Sequence, residues 1–295
     1  MKAHYKKLAG VALLGFALPM SAHAVATLQN GYVLAGVSDV GTLGSNSNTP
    51  PGILFDKTGT STYGVNDFLT PGTPFEGFYL TTGNGGAYGN NNSGGSSFAF
   101  SLTQNSATSV TAVGTSSDGL FGISHLYSLT TLGGRSVISI TTTLTNLGNE
   151  AASGLRFLRT LDPDPDVNAF GSYYTENVVL SDSEACGTGT QSGQTICIYT
   201  TSGLEHKAGV SSPWSTSPSD YLSGVDDGDG DYAIGLAFAL GSLGAGQSLT
   251  FDYGYALGAS RDDATGRVPE PGSALLVAAG LFGLARTLRG KRAKA

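Results

Sequence analysis

The residues best equipped for chemistry in this chain are carboxylates. Four of them crowd the stretch VDDGDGDY as Asp226, Asp227, Asp229 and Asp231, with Gly228 and Gly230 between them. Calcium takes six to eight oxygen ligands at about 2.3 to 2.6 Å, and glycines let a chain curl until several carboxylates converge. The stretch reads either as a calcium loop in a β protein or as a solvated acidic turn before the strand YAIGLAFAL. A helix-loop-helix calcium hand does not fit. Asp227, Asp229 and Asp231 match its first, third and fifth positions, but Tyr232 stands where the turn glycine belongs and Phe238 where the bidentate glutamate belongs.

A second acidic stretch, LDPDPDVNAFGSYY, places Asp162, Asp164 and Asp166 among prolines, with Tyr173 and Tyr174 shortly after. In an extended chain alternate residues share a face about 6.6 Å apart, too far for all three to grip one ion. Two of them could flank a sugar, or one could join the other acidic loop across the fold. Rings beside carboxylates suit glycan stacking and hydroxyl recognition, and an ordinary Pro-Asp turn is the plain alternative. Trp214, the single tryptophan, is either a sugar platform on an exposed loop or a plug at the end of a sandwich.

Beyond the carboxylates the catalytic inventory is thin. Between Val25 and Arg267 the only histidines are His125 and His206, and no G-x-S-x-G, H-E-x-x-H or phosphate-binding glycine loop occurs. His125 shares a strand face with Ile123 and Tyr127, and His206 sits in a polar stretch beside Glu205 and Lys207. A carboxylate pair for glycoside hydrolysis is set in space and not by sequence spacing, so the acids leave that chemistry open. No catalytic residue is assigned.

The elements that must position these groups are strands. GYVLAGVS, FEGFYLTT, SSFAFSLT, ATSVTAV, GISHLYSLTTL, RSVISITTTLTNL, SGLRFLRTL, ENVVLS, TICIYT, YAIGLAFAL and SLTFDYGYAL alternate apolar and polar residues between turn clusters. Ile138, Ile140, Thr142 and Leu144 fall on one face. After the turn at 146–149, Leu155, Phe157 and Leu161 anchor what reads as an adjacent antiparallel strand. Twelve or so strands without helical periodicity predict an all-β fold, an antiparallel β-sandwich, and the length also suits a larger double-sheet arrangement of galactose-mutarotase type. SNSNTPPG and GNGGAYGNNNSGGSS read as long flexible loops. Cys186 and Cys197 flank ten residues rich in Gly, Ser and Thr, a spacing that predicts a disulfide closing a hairpin.

The two ends read differently. Lys2, Lys6 and Lys7 precede an apolar run and the small-x-small site Ala22-His23-Ala24, which marks residues 1–24 as a signal peptide removed by signal peptidase. Residues 25–267 are then one β domain carrying 7 basic and 21 acidic residues, a formal charge of −14, which argues against nucleic acid or anionic lipid as a partner. At the other end, VPEPGSALLVAAGLFGLARTLRGKRAKA joins Pro269, Glu270 and Pro271 to a short apolar run and a basic cluster. That arrangement resembles the PEP-CTERM sorting signal. The resemblance implies that residues 268–295 tether the chain in the inner membrane and are then handled by an exosortase, which delivers the protein to the cell surface or exopolysaccharide matrix. It also implies a non-catalytic structural or adhesive role there, with exopolysaccharide as partner and no required cofactor. The competing expectations are a carbohydrate-active enzyme, hydrolase or mutarotase-like, and a calcium-dependent adhesin.

Overall fold

The computed structural model of the protein describes residues 26–45, 51–69 and 75–266. The expected signal peptide, the motif Pro269, Glu270 and Pro271 and the apolar run after it lie outside the described residues. So does most of SNSNTPPG.

Sixteen strands form from the alternating segments. In chain order they are β1 (Ala26–Gln29), β2 (Val33–Val37), β3 (Ile53–Phe55), β4 (Glu76–Thr81), β5 (Ala87–Asn91), β6 (Phe98–Ser106), β7 (Ser109–Ser116) and β8 (Phe121–Leu132). They continue with β9 (Arg135–Asn146), β10 (Ala152–Leu161), β11 (Thr175–Ser181), β12 (Glu184–Gly189), β13 (Thr195–Tyr199), β14 (His206–Ser211), β15 (Ala233–Leu243) and β16 (Ser248–Gly258). Three helical turns, α1 (Val167–Phe170), α2 (Pro218–Leu222) and α3 (Arg261–Thr265), complete the described elements, and no helix among the described residues is long and apolar enough to cross a membrane.

The strands make an eight-stranded sheet ordered β11-β12-β13-β16-β9-β8-β7-β6, a five-stranded sheet ordered β14-β15-β10-β4-β5 and a small sheet β1-β2-β3. The two large sheets pack face to face as an antiparallel sandwich. Phe157 of β10 meets Phe251 of β16 at 5.1 Å between ring centroids, and Phe78 of β4 meets His125 of β8 at 4.8 Å. Period-2 burial along β8 and β9 puts Ile123, His125, Tyr127, Ile138, Ile140, Thr142 and Leu144 in this interface, as the alternation predicts.

Three expectations change. First, β9 and β10 do not pair: β9 is flanked by β8 and β16, β10 by β4 and β15. The turn between them carries the chain from one sheet to the other, so Leu155 and Phe157 face Ile140 and Leu144 across the core. Asn146 holds this crossing, its amide donating to the Glu150 carbonyl at 2.7 Å and the Leu243 carbonyl at 2.9 Å. Second, GNGGAYGNNNSGGSS is only partly loop, because Ala87–Asn91 is β5. Asn90 is fully buried there, donating to the carbonyls of Val40 and Phe98 and accepting from Ser97 and Phe98. Third, the core contains an ion pair. Arg159 and Glu76, both fully buried, bind each other between the sheets, and Glu76 also accepts from the Leu43 amide at 2.7 Å and the Tyr255 hydroxyl at 2.8 Å. Cys186 and Cys197 sit directly opposite each other on β12 and β13 and form the expected disulfide.

Candidate functional site

The site lies where β10 ends. Past Leu161 the chain is pinned by backbone bonds, the Asp162 amide donating to the Phe75 carbonyl and the Asp164 amide to the Phe68 carbonyl, both at 2.8 Å. Pro163 seats on Gly187 of β12, where a Cβ would stand 2.5 Å from the proline ring. These contacts fix a short turn that presents Asp162 and Asp164. Asp166 leaves it, accepting the amides of Gln191 at 2.7 Å and Ser192 at 3.1 Å.

The second acidic stretch meets the first at one residue. Gly230 pairs with Thr175 through two backbone hydrogen bonds, at 3.1 and 3.2 Å. It holds φ at +154°, with a Cβ position only 2.6 Å from the Tyr232 ring, so glycine is needed both for conformation and for space. Asp231 follows and joins Asp162 and Asp164, and carboxylate oxygens of the three all lie within 4.8 Å of one another. Of the four aspartates in VDDGDGDY, only Asp231 joins a described acidic group. The Asp229 carboxylate accepts the Asn177 amide at 2.8 Å, Asp227 accepts the Ser212 amide at 2.6 Å, and Asp226 bridges Val210 only through its backbone. Two of the four carboxylates are spent on backbone donors, which splays the loop.

Asp162 and Asp164 are 2% and 3% exposed, whereas Asp231 is exposed. Burial pushes the Asp162 carboxyl up to about 9, with the charges of Asp164 and Asp231 adding to it, and burial together with Asp231 pushes Asp164 up to about 8. Oδ1 of Asp162 and Oδ1 of Asp164 have no hydrogen-bond partner among the described residues.

Trp214 belongs to this end of the sandwich. Its half-buried ring stacks on Phe75 at 5.6 Å between centroids, and Phe75 is the residue whose carbonyl holds Asp162. Asp227 grips the amide of Ser212, two residues before the tryptophan, so the splayed acidic loop helps place the ring. Tyr173 and Tyr174 stand exposed between α1 and β11, and neither side chain contacts the cluster among the described residues. His125 is fully buried, bound to Thr142 at 2.8 Å, and burial holds it well below the usual imidazole range with the Arg159 charge adding to the effect. His206 is half-buried on β14 and bonds Ser183 at 2.8 Å. A polar cleft at the opposite end of β10, lined by Asn84, Tyr88, Asn149 and Glu150 among others, has Glu150 as its one acidic lining residue.

The fold defines a class before it suggests a relative: an antiparallel double-sheet sandwich. A bacterial glucoamylase complexed with acarbose shares it at 12% identity and a TM-score of 0.52, over 82% of this chain and 32% of that one. This chain thus spans about a third of that enzyme. A galactose mutarotase-like protein from Lactobacillus casei (12% identity, TM-score 0.47, 80% of this chain, 100% of that one) and a putative aldose 1-epimerase from Escherichia coli K12 (14%, 0.45, 80% and 99%) are further neighbours. No protein-family model matches the sequence, and no curated protein matches it. The expectation of a non-catalytic structural or adhesive protein is corrected on this comparison: the fold is one shared with the glucoamylase, which speaks against that expectation as the main reading. At these identities the likeness establishes the fold alone.

Proposed function

We propose that this chain is a carbohydrate-active enzyme whose site is the acidic end of the sandwich. The observation that carries the reading is the convergence of Asp162, Asp164 and Asp231, from two stretches some 70 residues apart in sequence, beside the Trp214–Phe75 stack. The exposed member, Asp231, is the group that meets substrate and exchanges a proton with an oxygen on the anomeric carbon, giving one to the glycosidic oxygen in hydrolysis or to the ring oxygen in anomer interconversion. Asp162 and Asp164 lie behind it as positioning residues, and the half-buried tryptophan gives a sugar an apolar face to lie against. The body's charge of −14 disfavours anionic polysaccharide and favours a neutral one. The glucoamylase and mutarotase-like neighbours are consistent with that class.

The test uses the purified full chain with neutral oligosaccharides, following reducing-sugar release and, by proton NMR, the rate of anomer exchange. Turnover in either assay that Asp231→Asn lowers a hundredfold or more supports the reading; no turnover in both, across glucose- and galactose-based substrates, refutes it. Export and exosortase sorting remain part of the proposal. The buried disulfide is consistent with an oxidising compartment, and mass spectrometry of the mature termini in the source cells checks cleavage after Ala24 and near Glu270.

A further inference from the structure

Carboxylate oxygens removed from water need a proton, a hydrogen-bond donor or a cation, because a desolvated acceptor left alone costs free energy. Asp162 and Asp164 are both more than nine-tenths buried, each has an Oδ1 without a hydrogen-bond partner among the described residues, and carboxylate oxygens of these two and of Asp231 lie within 4.8 Å of one another. The protein crowds three carboxyl groups here, and no described ion pair brings a positive side chain to them.

We propose that Asp162, Asp164 and Asp231 together hold one divalent cation, and that the cation is calcium. The donors are all carboxylate oxygens, with no imidazole and no free thiol, which selects a hard ion over zinc or copper. Coordination geometry then separates calcium from magnesium. The carboxylate oxygens lie within 4.8 Å of one another, close enough to share one ion. Calcium accepts six to eight oxygens in irregular arrangements, as three carboxylates from two separate stretches would supply, whereas magnesium demands a near-ideal octahedron and keeps several of its waters. Three carboxylates supply three to six of the oxygens, and the exposed side at Asp231 leaves the remaining positions to water or to sugar hydroxyls. The ion ties the end of β10 to the segment before β15, two pieces that otherwise repel. It also differs from the calcium loop expected from sequence, because it takes Asp231 from that loop and leaves out Asp226, Asp227 and Asp229. A role for the ion in gripping sugar rests on the proposed function; its binding does not.

The experiment is isothermal titration of chelator-treated full chain with calcium chloride and, separately, magnesium chloride, together with thermal melts in each. One calcium per chain, a melting temperature that climbs with calcium concentration, and weaker binding of magnesium are expected. Asp231→Asn, at an exposed position that leaves folding intact, weakens calcium at least tenfold, whereas Asp226→Asn leaves it unchanged within twofold. No calcium uptake overturns the proposal, as do equal effects of the two variants; tighter binding of magnesium overturns the choice of ion. Sugar turnover measured on the same samples separates the two readings. Calcium uptake without turnover refutes the enzyme and keeps the ion, and turnover indifferent to chelator without uptake refutes the ion and keeps the enzyme.

Discussion

Replacing Glu76 by Gln tests how the sandwich tolerates charge in its core. In the native protein the Glu76 carboxylate is fully buried and compensates Arg159, which is also fully buried. The Arg159 guanidinium otherwise has neutral neighbours, its Nη2 donating to the Tyr127 hydroxyl at 3.0 Å and its centre lying over the Phe78 and Tyr127 rings at 5.9 and 5.6 Å, while its Nη1 has no hydrogen-bond partner among the described residues. Removing the negative charge leaves a cation stranded between the sheets, and stranding a buried charge costs about 3 to 5 kcal/mol. The Leu43 amide and Tyr255 hydroxyl lose a charged acceptor at the same time, but an amide oxygen in the same place retains one of those bonds, so the upper half of that range is the expectation. Against a typical total of about 5 to 15 kcal/mol, the loss is roughly a quarter or more of the fold's stability. Arg159→Met with Glu76→Gln removes both charges at similar volume and recovers most of it, since an apolar replacement of a buried pair is often neutral. Urea unfolding at pH 7 with the disulfide intact measures all three variants. A loss below about 1 kcal/mol for the single variant, or a double variant equal to the sum of the singles, would show that water or relaxation solvates Arg159 and that the geometric account is wrong.

Two smaller perturbations probe other links. Gly187→Ala drives a methyl group into Pro163 and should destabilise by about 1 to 3 kcal/mol through overpacking, while weakening calcium because the Asp162 turn is displaced; unchanged calcium affinity would separate the turn from the site. His125 should titrate only well below 6.5. Its unfolded form takes up a proton that the folded form refuses, so its contribution is present above about pH 6.5 and is lost as pH falls, by up to about 1.4 kcal/mol per pH unit. Because Asp162 and Asp164 are shifted upward they act in the opposite direction, stabilising the fold as pH falls. The measurement is therefore the difference between wild type and His125→Phe across pH 5 to 8, which should narrow toward acid; a constant difference refutes it.

The strands were legible because alternation is a local signal, and so was the disulfide, because ten turn-forming residues between two cysteines allow little else. Pairing was not. Nothing in RSVISITTTLTNLGNEAASGLRFLRTL distinguishes a hairpin from a chain stepping across a core, since both put Ile140 and Phe157 on buried faces. The buried ion pair left a trace that went unread: Arg159 falls in step with Leu155, Phe157 and Leu161, and Glu76 with Phe78 and Leu80. At the site the two acidic stretches meet, but membership depends on which side chains the backbone claims. Asp166, Asp227 and Asp229 are taken by amides distant in sequence, and spacing carries no record of that.

The position of β16 governs how this fold can be reached. The last strand among the described residues sits in the interior of the larger sheet, pairing with β9 along one edge and β13 along the other. Residues about a hundred positions apart, such as Thr143 and Thr250, become neighbours only there. Such non-local pairing makes folding slow, and until Ser248–Gly258 arrives both β9 and β13 present an open edge. A chain interrupted upstream of β16 therefore has two unsatisfied strand edges facing each other across a gap one strand wide. It is a template that a second copy can fill with its own β16.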